Sequence, residues 1–333
     1  MTLGRALLGL SFAIGAALHR LHWTPAVRGL RDLRVVYYHG IGTRTSICQR
    51  YLRDEIPLDV FRRQLDYLQA NYNVVPLEDG IAAVVAGRPS RPLASISFDD
   101  GLRSAFTDAW PELKRRGLPA SVFLNTAVID NTDLLWQHYV SALASTVGVS
   151  AVLDALRLTC APERLIPTCQ EHFRDLPLSA LPALGPTSAT IAAEERPYLT
   201  WSEVQTMAET GLLRFYSHTA RHYPLASVPV ESMQHEIDDA VQQLQGHYGT
   251  RTNLVSFPFG MRRDFGHALP YALHRHHYAV TVGDGWNPVR HVSRSRTVGR
   301  VALENETHPA SLYAALEIQP LLKGILNAVF ARG

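Results

Sequence analysis

Cysteine is scarce. Cys48, Cys160 and Cys169 are the three thiols in 333 residues, and their spacing builds neither a disulfide framework nor a cysteine-ligated zinc site. A Cys160 to Cys169 bridge needs an oxidising compartment, and a buried, unpaired thiol is the plainer expectation at each position. Net charge is scarce too. A formal +2 without a Lys/Arg block or a stacking-aromatic motif excludes nucleic acid as an expected partner. No internal repeat is visible. The apolar run at the amino terminus, Ala6 to Leu18, covers 13 residues, too few to span a bilayer. It suits a signal-peptide core with cleavage near Gly15-Ala16-Ala17. Because Arg20, Arg28, Arg31 and Arg34 follow, it suits a helix lying on an anionic membrane surface equally well, with an ordinary docked helix as the plain alternative. Apolar bulk is what the chain has. At 46% hydrophobic and 19% charged it makes one large domain, or a domain with an insertion, and is not a disordered chain.

The first chemistry lies in Ala94-Ser95-Ile96-Ser97-Phe98-Asp99-Asp100-Gly101. A short run of strand-forming residues ends in two carboxylates and a glycine, which puts both acids at the carboxyl end of a buried strand, where α/β folds place their active groups. Neighbouring carboxylates repel and burial raises their pKa values, so the pair asks for a cation. With 16 Asp and 22 Gly in 333 residues, Asp-Asp-Gly arises by chance only about 0.05 times, and a solvated turn is the bland alternative. The second group is Ser217-His218-Thr219-Ala220-Arg221-His222. Two histidines four apart share one face of a helical turn and suit a single metal ion. Leu212 to Tyr216 reads as a buried strand, so Asp100, His218 and His222 are expected to meet over one rim.

Along the chain, strand and helix signals alternate from Leu33. Leu33 to Tyr38 is a strand ending at His39, and Leu58, Phe61, Leu65 and Leu68 form a helical stripe. Ser104 to Arg116 is a helix stopped by Gly117. After the strand Ser121 to Leu124, residues about 130–197 lose strand alternation and read as a helical, Pro-containing insertion that elaborates the barrel or shapes a cleft. Thr200 and Glu203 predict a capping box, Gly249 ends the next apolar stripe, and further strands follow at Leu254 to Phe257, Tyr278 to Val282 and Val298 to Val301. Ser311 to Phe330, interrupted at Pro320, has so little polar face that it packs on the barrel or touches a membrane.

Phe98-Asp99-Asp100-Gly101 followed by Ser217-His218-Thr219-Ala220-Arg221-His222 resembles the first two motifs of polysaccharide deacetylases, the NodB-homology proteins of carbohydrate esterase family 4. Flanking segments such as Pro119-Ala120-Ser121-Val122-Phe123 and Leu199-Thr200-Trp201-Ser202-Glu203 look like that family as well, and the resemblance covers about residues 34–302. It implies an α/β fold, a distorted (β/α) barrel of about seven strand-helix units with a helical insertion. The expected division is 1–32 as a signal, anchor or surface helix, 33–303 as the barrel with an insertion at about 130–197, and 304–333 as a helical tail.

By the same resemblance, Asp100, His218 and His222 hold one divalent ion, with zinc suited to the mixed nitrogen and oxygen set, and Asp99 is the general base. The third motif reads Ser256-Phe257-Pro258-Phe259-Gly260. Many members open it with an arginine that pairs with the base, so Ser256 leaves Asp99 without that partner, although a branch acting on poly-N-acetylglucosamine-like polymers also lacks the arginine. Phe259 is the implied oxyanion donor through its backbone N–H, and His39, Pro258, Asp284 and Trp286 are the implied substrate contacts. The general acid is unassigned, with His291 and His308 the histidines in the right part of the chain. The implied activity is metal-dependent N-deacetylation of an N-acetylhexosamine polysaccharide, an exopolysaccharide or cell-wall glycan. The expected setting is the cell envelope or periplasm, or a membrane surface touched by a terminal helix, with the cytoplasm left open. The alternatives are a metal-containing glycan-binding barrel with little turnover, for want of a base partner and acid, and a non-haem iron oxygenase, whose usual His-x-Asp pairing is absent.

Overall fold

The computed structural model describes residues 17, 33–42, 46–87, 91–249, 253–282, 287, 289–320 and 322. Apart from Ala17, the amino-terminal run lies outside the described residues, as do Asp284, Trp286 and the side chain of His291. Eight parallel strands follow in chain order: β1 (Leu33–Tyr38), β2 (Asn73–Val74), β3 (Leu93–Phe98), β4 (Ala120–Leu124), β5 (Leu213–Ser217), β6 (Leu254–Ser256), β7 (Tyr278–Val282) and β8 (Thr297–Ala302). Seven of them close a ring in the order β1-β8-β7-β6-β5-β4-β3, with β3 returning to β1, while the two-residue β2 pairs with the start of β3. This is a distorted (β/α) barrel.

The period of two decides which residues face in. Leu33, Val35, Phe123, Tyr216, Leu254, Val280 and Val298 pack together as one cluster. Val36, Tyr38, Ile96, Phe98, Val122, Leu124 and Phe215 alternate with them and join Phe61, Leu65 and Leu68 of the helix Leu58–Asn71 in another. The helices begin and end on local chemistry. Thr200 Oγ1 accepts from the Glu203 N–H at 3.1 Å and Glu203 Oε2 accepts from the Thr200 N–H at 2.9 Å, which is the predicted capping box. Gly117 and Gly249 stand in the left-handed conformation at the ends of Trp110–Arg116 and Val230–Tyr248.

Between β4 and β5 come the helices Trp136–Val147, Val149–Leu156, Leu165–Glu171 and Ser188–Glu195. They share their own apolar cluster, which includes Val140, Leu143, Val152, Leu165, Cys169 and Tyr198. Cys48, Cys160 and Cys169 are all free thiols, so no bridge joins Cys160 to Cys169. At the carboxyl end of the chain, Leu312, Tyr313, Leu316 and Ile318 pack into the cluster around Phe61 and Leu65. There Arg34 donates to Glu317 Oε2 at 3.0 Å and the Tyr72 hydroxyl donates to Glu317 Oε1 at 2.6 Å. The described part of the tail is therefore docked on the barrel. No helix among the described residues is long and apolar enough to cross a membrane.

Gly260, just after the loop that follows β6, illustrates how tightly the rim is built. Its φ is +68°, and a Cβ there would sit 2.5 Å from the backbone nitrogen of Val282. Strain and backbone overlap act together, so Gly260→Ala is expected to lower stability by at least about 2 kcal/mol, measured by chemical denaturation. A variant within about 0.5 kcal/mol of the parent would contradict this.

Candidate active site

Asp99 extends the ladder of β3, its N–H donating to the Tyr38 carbonyl at 2.9 Å, and its side chain keeps the inward direction of Ser95 and Ser97. Asp100 then takes φ +66°, a left-handed conformation that Asp tolerates better than most residues. This one backbone turn sends two adjacent carboxylates to different partners. Asp99 meets Arg300 on β8: Nη1 donates to Oδ1 at 2.7 Å and Nη2 to Oδ2 at 2.6 Å, a bidentate pair with both side chains buried. Arg300 Nη2 also donates to Ser256 Oγ at 2.8 Å, and the guanidinium sits 4.7 Å from the Tyr37 ring centre and 5.4 Å from that of Phe123. An arginine partner for Asp99, missing at Ser256, is thus supplied two strands away. A charged residue inside the run Val298-Gly299-Arg300-Val301 was the sequence signal.

Asp100 faces the histidines. Its Oδ1 lies 3.4 Å from His218 Nε2 and 3.3 Å from His222 Nε2, and it takes no hydrogen bond among the described residues although it is buried. Two atoms bound at about 2.05 Å to one tetrahedral ion stand about 3.3 Å apart, so these three groups fit a metal ion. A second trio, His39, Asp54 and Asp100, has ligand-type atoms within 4.8 Å of one another. Tautomers agree at His218, whose Nδ1–H donates to the Ser256 carbonyl at 2.8 Å and leaves Nε2 with its lone pair directed at the site.

The helical-turn expectation for His218 to His222 is corrected. This segment is a loop, with φ +65° at Thr219 and +61° at His222. What holds it is Glu236 on the helix Val230–Tyr248: Oε2 accepts from the Arg221 N–H at 2.7 Å, and the Glu236 carbonyl accepts from the Ala220 N–H at 2.9 Å. The two rings then approach edge to face, 4.9 Å apart, by loop geometry and not by helical periodicity.

Electrostatics follow from burial and partners. Burial is the largest influence on the Asp99 carboxyl and raises it, but the Arg300 guanidinium together with His218 and His39 outweighs this, and the net effect lies below the usual carboxylate range. Asp100 is also held low, burial being outweighed by the imidazoles around it. Burial pushes His222 down to about 3 and His138 down to about 4. His39 is the exception: burial lowers it, but Asp54, Asp100 and Asp99 more than compensate, so it is raised. These directions fix a pH response in metal-stripped protein. Between pH 6.5 and about 4 the unfolded chain protonates His138 and His222 while the folded chain does not. Their contribution is full above 6.5 and falls with pH, by up to about 1.4 kcal/mol per unit for each imidazole. His39 has the opposite sign, but its window lies above 6.5 and does not mask the fall. Glu55, raised to about 7 by burial, and Asp54, also raised, act with the opposite sign in this window, so the check is a comparison: from pH 6.5 to 5 the thermal midpoint of the parent is expected to fall more steeply than that of His138→Phe, and parallel profiles would refute the reading.

The cavity over these groups measures about 240 Å³ and is lined by Tyr37, His39, Asp54, Phe259, Val282 and Arg300 among others, with Gln137, Ile166 and Gln170 of the segment between β4 and β5 as one wall. A second cavity of about 270 Å³ shares Tyr37, His39 and Asp54 with it and runs on to Glu304 and Asn305. Phe259 has φ +59°, its ring lies 4.8 Å from that of His222, and its N–H has no hydrogen-bond acceptor among the described residues. Pro258 is buried and is not one of the lining residues. His308 caps the helix Pro309–Tyr313, its Nδ1 accepting from the Ala310 N–H at 3.2 Å, and does not line the cavity.

The barrel rim thus brings a bidentate Arg-Asp pair beside an Asp-His-His trio able to hold a metal ion. The polysaccharide deacetylase profile matches residues 86–267, more than half of the chain, and the chain belongs to this family. It is 19% identical over 230 residues to the putative polysaccharide deacetylase YxkH of Bacillus subtilis (strain 168), a match covering 68% of this chain and 57% of that protein. Among solved structures, the Streptococcus pyogenes deacetylase PplD in complex with acetate superposes with a TM-score of 0.59 at 15% identity, covering 86% of this chain and 98% of that one. IcaB from Ammonifex degensii superposes with a TM-score of 0.54 at 18% identity, covering 85% and 97%. At these identities the structures speak for the fold.

Proposed function

We propose that this protein is a metal-dependent hydrolase that removes N-acetyl groups from an N-acetylhexosamine-containing polysaccharide of the cell envelope. The observation that carries the reading is the placement of the buried Asp99–Arg300 pair directly beside Asp100, His218 and His222. His218 Nε2 lies 3.8 Å from Asp99 Oδ2 and 3.4 Å from Asp100 Oδ1, so base and ligand trio share one small volume. A divalent ion held by Asp100, His218 and His222, with zinc the best match to two imidazoles and a carboxylate, supplies a Lewis acid and lowers the pKa of a bound water to about 7.

The chain's own residues account for the remainder. Asp99, kept ionised by Arg300, accepts the proton of the attacking water. The N–H of Phe259, which has no acceptor among the described residues, stabilises the charge that develops on the amide oxygen, an effect of about 3 to 4 kcal/mol in comparable sites. As the C–N bond breaks, the departing sugar amine needs a proton. His39, raised by its carboxylate neighbours and lining the cavity, is the acid in position, a role that neither His291 nor His308 is needed for. The products are acetate and a glucosamine-type amine. The run of two adjoining cavities from Val282 to Asn305 favours an extended polymer over a free monosaccharide. The competing reading, a glycan-binding barrel with little turnover, drew on a missing partner for the base, and Arg300 fills that position.

The test is acetate release from N-acetylglucosamine oligomers. Zinc-loaded protein is expected to release acetate, chelation to abolish release, and added zinc to restore it. Stoichiometric metal with no release from any acetylated glycan would sink the proposal.

A further inference from the structure

The first three residues of the helix Trp136–Val147 all reach the ligand trio, from between β4 and β5 and through side chains that no barrel strand provides. Trp136 Nε1–H donates to the His222 carbonyl at 3.1 Å. The carboxamide nitrogen of Gln137 stands 2.9 Å from His222 Nδ1, while its Oε1 is buried with no partner among the described residues. His138 Nε2, also buried and without a hydrogen bond among the described residues, lies 3.9 Å from Asp100 Oδ2. The three side chains are 6%, 1% and 0% exposed, so their polar atoms have no water to fall back on.

Hydrogen-bond bookkeeping assigns the tautomers. The Tyr198 hydroxyl accepts from the Leu135 N–H at 3.0 Å, so its own proton goes to the other neighbour, His138 Nδ1 at 2.5 Å. His138 then carries its ring proton on Nε2, aimed at Asp100 Oδ2. At Gln137 the oxygen and nitrogen of the amide are assigned by their partners. Turning the amide by half a revolution places Gln137 Oε1 against His222 Nδ1, where it accepts the Nδ1–H and leaves His222 Nε2 with its lone pair for an ion, the Gln137 NH2 taking the place that Oε1 held.

We propose that Gln137 and His138 are positioning residues of the metal centre: Gln137 Oε1 fixes His222 in the tautomer that ligates through Nε2, and His138 holds Asp100 Oδ2 so that Oδ1 alone faces the ion. This rests on the metal reading given above. It makes the helical layer between β4 and β5 part of the centre itself, since outer partners of this kind orient ligands and set their affinity.

The experiment is zinc affinity by competition with a chelator of known affinity, on the full chain at pH 7.5, together with the visible spectrum of the cobalt-loaded protein. Gln137→Leu and His138→Phe are expected to weaken zinc by about 10- to 100-fold and to alter the cobalt bands. Gln137→Glu keeps an acceptor but cannot donate, so it is expected to stay within about threefold of the parent. If Gln137→Leu or His138→Phe fails to fold, Gln137→Glu still decides the orientation. Loss of affinity in that variant beyond tenfold would mean that Gln137 donates to His222, which overturns the assignment. Folded Gln137→Leu and His138→Phe proteins with parental affinity and spectrum would overturn the proposal while leaving the metal reading intact. A parent that binds neither zinc nor cobalt would overturn both.

Discussion

Asp99→Asn is expected to cut acetate release by about 10³-fold, within the 10²- to 10⁴-fold contribution of a positioned general base, while zinc stays stoichiometric. Asparagine preserves shape but cannot accept the proton of water at neutral pH. The trio Asp100, His218 and His222 is left untouched, so metal content and turnover separate. His218→Ala is the complement, removing one of three ligands and with it the metal. Asp99→Asn also leaves Arg300 fully buried without its counter-charge, a change that costs about 3 to 5 kcal/mol in comparable sites. The assay therefore belongs well below the variant's thermal midpoint. Retention of more than a tenth of parental turnover would remove Asp99 from the role of base.

Arg300→Met should be almost as damaging, for a different reason. The Asp99 carboxylate loses two charge-assisted hydrogen bonds of 2.7 and 2.6 Å from a buried partner. Burial, the largest single influence on this carboxyl, then acts unopposed by the guanidinium and pushes its pKa upward. The acid limb of the pH–rate profile is expected to move to higher pH, turnover at neutral pH to fall by at least about 10²-fold, and stability to fall by about 3 to 5 kcal/mol. Arg300→Lys cannot reproduce the fork that reaches Asp99 and Ser256 together, and should recover little. The second-site change Ser256→Arg offers a sharper test. Ser256 Oγ is 2.8 Å from Arg300 Nη2, so an arginine on β6 approaches the same carboxylate. Partial rescue of Arg300→Met by Ser256→Arg is expected. An unshifted acid limb in Arg300→Met would show that the guanidinium does not govern the base.

The local parts of this molecule were legible before any fold was drawn. The strand ending in Asp99-Asp100-Gly101, the capping box at Thr200 and Glu203, and the left-handed glycines at Gly117 and Gly249 depend on residues a few positions apart. Backbone sterics and a period of two or 3.6 are sufficient to specify them. The Asp-His-His trio was legible for a related reason. Each member sits at or just past the carboxyl end of a strand, and a parallel barrel brings those ends to one rim whatever the loops between them do.

Tertiary structure decided the rest, because partner choice across long separations is made by packing and not by pattern. Arg300 lies 201 residues from Asp99 in sequence, and its suitability depends on β8 closing the ring against β1 so that Arg300 and Asp99 both face inward. His218 and His222 converge through a loop clamped by Glu236, where spacing alone suggested a helical turn. Gln137 and His138 belong to a stretch that reads as structural elaboration, and they reach His222 and Asp100 only because that layer forms one wall of the cavity. Sequence determined the barrel and the groups able to hold an ion. The fold determined which buried partners keep those groups charged, neutral and correctly turned, since each partner is selected by the cost of leaving a polar atom without one.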